Sequence, residues 1–112
     1  MWLRLAAVTY IAAGVLHSLM GQSGGILVDA APLVRVVWHL AGIALIAQGL
    51  TLWLAVGTGF AGRAAWVALG LALVATIATG WAGGMLTLPP MIFALVAVFL
   101  ILALTRRGDQ PR

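Results

Sequence analysis

Four apolar runs, residues 2–20, 33–56, 64–82 and 90–105, take up most of the chain. At about 1.5 Å of rise per helical residue, runs of this length approach or cross the ~30 Å hydrocarbon core of a bilayer. Backbone N–H and C=O groups cannot stay unpaired in hydrocarbon, and the alternation of a barrel strand is missing, so each run is expected to be a helix. The predicted fold is an all-α membrane protein. One domain over residues 1–112 holds four transmembrane helices in an up-down-up-down bundle.

Composition leaves little room for a soluble fold. Of 112 residues, 64% are apolar and 7% charged, more apolar surface than a water-soluble domain of this size can bury. The charged residues are Arg4, Asp29, Arg35, Arg63, Arg106, Arg107, Asp109 and Arg112, and most of them bracket the apolar runs. A net charge of +4 made of scattered arginines, with no lysine and no basic stripe, gives no nucleic-acid footprint. Cysteine is absent, which excludes disulfides, thiolate metal sites and cysteine nucleophiles.

Helix breakers fall between the runs. Pro32 precedes the second, "GTGFAGR" separates the second from the third, and Pro89 and Pro90 open the fourth. In a serpentine of four spans, Arg4, Arg63 and the tail "RRGDQPR" share one side, against Asp29, Arg35 and "AGGMLTLPP" on the other. The positive-inside rule then predicts both termini in the cytoplasm, with a bacterial inner membrane as the expected location. A cleaved signal peptide over residues 1–20 is the competing reading, but "HSLMGQS" offers no small-x-small cleavage site. Trp2, Trp53, Trp66 and Phe60 at the inner boundary, and Trp38 and Trp81 at the outer, are expected to form interfacial belts.

Helices in lipid associate through close backbone approach and polar contacts, which favours small residues at their seams. Tyr10, Gly14, His17 and Gly21 share one face of the first span. Arg35, His39, Gly42, Ile46 and Gly49 share a stripe on the second, and Ala72, Thr76, Thr79 and Gly83 on the third. Gln48 falls opposite His39, with Ala41, Ala44 and Thr51, and is expected to bond another helix or subunit. The fourth span has no polar side chain over residues 91–104 and is expected to form an outer wall.

Counting from the span ends puts His17 and His39 at similar depth near the outer side, with Arg35 one turn above His39. Thr76 and Thr79 reach comparable depth. Together they predict a polar cup, the default site in a membrane chain because ionisable groups within spans are costly. Two imidazoles from different helices would suit axial ligation of haem, or a pigment, although packed helices ~8–10 Å apart leave little room for a porphyrin. Zinc would want further ligands, and proton handling lacks an intramembrane carboxylate. Equally, near-interface His, Arg and Trp can serve only as anchors.

The pairing of "GVLHSLMG" on the first span with "VWHLAG" on the second, carried by Gly14, His17, Trp38 and His39, and a proline-led fourth span, resembles small bacterial four-span families that are broadly DoxX-like. That resemblance implies the four-span layout and no activity. A first span without glutamate and a chain without asparagine set aside the small multidrug transporters and the fluoride channels.

So few reactive groups beside so many small ones point away from an enzyme. The expectation is a protein that works by association, as a homo-oligomer or an accessory subunit of a larger membrane complex within the lipid bilayer. The alternatives are a haem, pigment or small-ligand binding protein using His17 and His39, and a small transporter.

Overall fold

In the computed structural model, which describes residues 1–23, 27 and 29–107, the chain forms four helices, α1 (Trp2–Ser23), α2 (Pro32–Ala55), α3 (Ala61–Gly83) and α4 (Leu88–Arg107). All four are long and apolar enough to cross a membrane, compatible with a small integral membrane protein. Asp109 and Arg112, both in the tail that the positive-inside expectation counts, lie outside the described residues. Several helix ends reach beyond the apolar runs: α1 continues to Ser23, α3 begins at Ala61 and α4 at Leu88. The hydrogen-bond ladder does not stop where hydrocarbon stops, so polar and glycine residues at the margins stay helical.

Local chemistry explains the breaks. Pro32 occupies the first turn of α2, where its missing N–H is no loss. After Ala55 the chain turns through Gly57 at φ +80°, and the Thr58 hydroxyl donates to the Ala55 carbonyl at 2.8 Å. Gly84, at φ +93°, ends α3 and returns its N–H to the Gly80 carbonyl at 2.8 Å. Positive φ at both positions favours glycine.

The closest pairing is α1 with α2. A methyl group on Gly14 would lie 2.5 Å from the Gly42 carbonyl oxygen, and one on Gly49 would lie 2.6 Å from the Ala7 carbonyl oxygen. Backbone therefore rests on backbone at both levels, and the register shows the two helices running antiparallel. The spacing of seven residues on each helix keeps these positions on one seam.

On the opposite flank α4 packs against both α3 and α1. α3 contributes a ladder of buried alanines, Ala61, Ala64, Ala65, Ala68 and Ala72, while α4 contributes Val96 and Leu100, both fully buried. α4 is both wall and core: Met91, Leu95, Val98 and Ile101 face outward, while Val96, Ala97, Leu100 and Ala103 pack inward. Trp2 stacks on Phe99 at 6.0 Å between centroids and Tyr10 approaches Phe93 at 6.5 Å, joining α1 to α4. Across the diagonal, the buried Tyr10 hydroxyl donates to the Ala68 carbonyl of α3 at 2.8 Å.

The exposed helix is α2, the least buried of the four. It meets α3 at few places, so the ring of helices is open along one side.

Trp53, Phe60, Trp66 and Trp81 are exposed. Trp2 and Trp38 are instead half-buried among other rings. At the end holding both Trp2 and Trp53, Arg4 and Arg106 lie over these rings at 5.6 Å and 5.2 Å from Trp53 and Trp2 respectively.

Candidate functional site, a cleft between two helices

The contact of Gly14 with Gly42 fixes what happens one turn further along. His17 follows Gly14 by three residues and His39 precedes Gly42 by three, so the two histidines come to the same level. Three residues turn a helix by about 300°, and in two antiparallel helices that rotation has the same sense when viewed from one end. The side chains are thereby carried to opposite sides of the α1–α2 contact. Trp38, about 100° around α2 from His39, falls on the His17 side.

The structure follows this geometry. Trp38 lies on His17 with ring centroids 4.1 Å apart and planes 12° from parallel, and its Nε1–H donates to the His17 carbonyl at 2.8 Å. The pair forms one wall of a cleft of 630 Å³ where α2 and α3 part. Gln48 and Ala44 of α2, Ala75 and Thr79 of α3, and Tyr10 and Phe93 from the floor are among the other residues that line it. A smaller apolar pocket of 100 Å³, mainly between α1 and α4, shares His17, Leu45, Pro89 and Phe93 with the cleft.

His39 and Arg35 line a separate hollow with Gln22. The predicted cup is thus parted into two sites: His17 and Thr79 border one, His39 and Arg35 the other. Thr76 is half-buried and turns its hydroxyl back to the Ala72 carbonyl at 2.7 Å. With the imidazoles on opposite sides of a glycine seam, no common plane lies between them for a porphyrin.

Polar groups in the cleft are few and sharply different from one another. Tyr10 has spent its hydroxyl proton on Ala68, and the Thr79 hydroxyl donates to the Ala75 carbonyl at 2.6 Å. The His17 Nε2 atom is covered by its neighbours and has no hydrogen-bond partner. Gln48 is half-buried at the cleft, and among the described residues its carboxamide makes no hydrogen bond. Gln48 is thus the side chain at the cleft whose donors and acceptor are both unspent, able to give and take a hydrogen bond at once.

The sequence leads one to expect Gln48 to bond another helix or subunit and Trp38 to anchor at the interface. A lone carboxamide inside an apolar span was the available signal for the first. For Trp38 the available signal was its place beside His39 in "VWHLAG", which sets it apart from the other tryptophans.

Among the described residues no three His, Asp or Glu side chains gather as a metal site. The cleft has the chemistry of recognition: small residues that leave space, a flat aromatic wall, and one amide able both to donate and to accept. No family model, no curated protein and no solved structure matches the chain.

Proposed function

We propose that this is a membrane-embedded binding protein that takes a lipid-soluble small molecule, an apolar body carrying one hydrogen-bonding group, into the cleft between α2 and α3. The observation that carries the reading is the Gln48 carboxamide, without a hydrogen-bond partner among the described residues, at the edge of a 630 Å³ space with mainly apolar walls. Ala44 and Ala75 are small where a larger residue would close the gap. The ligand enters sideways from the bilayer, because the open side of the bundle is the α2–α3 seam. The His17–Trp38 pair provides a flat surface on which a ring can stack.

The test is organic-solvent extraction of protein purified from its own membrane, with mass spectrometry of the extract. A single apolar species is expected from the wild type and is absent from Ala44→Phe, which fills the cleft. Identical extracts from the two proteins would sink the reading.

Association remains a second reading, favoured by one observation: α2 is the least buried helix and packs closely on α1 alone. In this reading the protein is a homo-oligomer or an accessory subunit in a bacterial inner membrane, with both termini in the cytoplasm and the outward face of α2 as its contact.

A further inference from the structure

The hollow on the far side of the α1–α2 contact has a different chemistry from the cleft. It encloses 290 Å³, and Gln22, Arg35 and His39 line it together with Gly21 and Leu27. Arg35 stands in the first turn of α2, with its Nε–H donated to the Ala30 carbonyl at 3.1 Å, which ties the guanidinium to this end of the helix. His39 follows one turn deeper, and Gln22 comes from the last turn of α1. A permanent cation, an imidazole and an amide therefore surround one space, and none of the described residues lining it is acidic.

The level of the hollow narrows the ligand. It lies between the end of α1 and the start of α2, where two apolar spans stop and hydrocarbon gives way to headgroups. Deeper on the same helix faces, Leu19 and Val15 precede Gln22 by three and seven residues, and Ile43 follows His39 by four. These three side chains are 53%, 45% and 58% exposed, an apolar track leading down from the polar end. A guanidinium presents a planar fork of donors that matches phosphate oxygens, and near a membrane surface it is attracted to anionic lipid.

We propose that this hollow binds the phosphate of an anionic phospholipid headgroup, whose acyl chains lie along Val15, Leu19 and Ile43. The site is independent of the cleft and of the ligand assigned to it. Arg35 holds the phosphate, while His39 and Gln22 donate hydrogen bonds to it from below and beside.

Native mass spectrometry of the full chain, delipidated and titrated with phosphatidylglycerol or phosphatidylcholine, tests the assignment. The wild type retains phosphatidylglycerol in preference to phosphatidylcholine, and Arg35→Gln weakens that retention about fivefold. Arg35→Lys keeps most of it, Arg63→Gln at the other end of the bundle leaves it unchanged, and added inorganic phosphate does not displace the lipid. Equal retention of the two lipids, or equal losses in Arg35→Gln and Arg63→Gln, overturns the proposal. Displacement by inorganic phosphate assigns the hollow to a soluble anion and overturns the lipid source. Should Arg35→Gln fail to fold, Gln22→Ala with His39→Ala takes its place, with the same loss expected and unchanged retention overturning the assignment.

Discussion

Trp38 holds His17 in two ways at once: its ring lies 4.1 Å from the imidazole, centroid to centroid, and its indole N–H reaches the His17 carbonyl at 2.8 Å. One side chain of α2 thereby fixes both the orientation of a ring on α1 and the backbone beneath it. Gly21 makes room for this, since a methyl group there would collide with the Trp38 indole nitrogen.

The two contributions separate by substitution. Trp38→Phe keeps a ring but loses the donor, for an expected cost of about 1 kcal/mol, whereas Trp38→Ala also opens a cavity and costs about 3–5 kcal/mol. Unfolding in mixed detergent and SDS micelles reads both, and the order of stability is wild type, Trp38→Phe, Trp38→Ala.

Glycines in the same fold respond oppositely to a methyl group. Gly14→Ala meets the Gly42 carbonyl oxygen at 2.5 Å, a contact with rigid backbone, so α1 and α2 must move apart at an expected cost of about 1–3 kcal/mol. Nothing lies within 4 Å of a methyl group on Gly70, which is helical. Gly70→Ala is expected to stabilise by about 0.5–1 kcal/mol through reduced freedom of the unfolded chain. The same unfolding assay distinguishes a loss from a gain.

Tyr10 ties the diagonal of the bundle through its hydroxyl and the Ala68 carbonyl. Tyr10→Phe keeps the packing against Phe93 and removes that bond, with an expected loss of about 1 kcal/mol and a matching rise in amide exchange around Ala72. Unchanged stability and exchange would show that the bond does not hold α1 to α3.

Much of the scaffold was legible because its causes are local. Four long apolar stretches bounded by proline and glycine give four helices, and Gly14, Gly42 and Gly49 at helical spacing mark the α1–α2 seam. The shared level of His17 and His39 was legible too, and the Gly14–Gly42 contact sets it. Their separation depended on rotation about two antiparallel axes, which becomes definite only once Gly14 is known to face Gly42. The helical position of Gln48 puts it opposite His39, but that α2 and α3 part there depends on how all four helices pack. That is a property of the assembled bundle, and no single span encodes it.

The absence of cysteine allows a clean test of association through α2. Ile43 and Val67 are similarly exposed, at 58% and 61%, on α2 and α3. If α2 is the contact between copies, Ile43→Cys cross-links to dimer in native membranes under mild oxidation and Val67→Cys does not. Equal cross-linking of the two would reflect random collision.

The central claim is that Gln48 engages a ligand in the cleft, and its side-chain amide reports this directly. Gln22, Gln48 and Gln110 are the glutamines of a chain without asparagine, so carboxamide signals in a nitrogen–proton correlation spectrum are few and assignable by Gln48→Leu. Spectra are compared for protein as purified from its membrane and after exhaustive removal of bound small molecules. The account predicts that the Gln48 amide pair shifts and exchanges faster with solvent after extraction in the wild type, and shows no change in Ala44→Phe. A Gln48 signal identical before and after extraction in the wild type would contradict it.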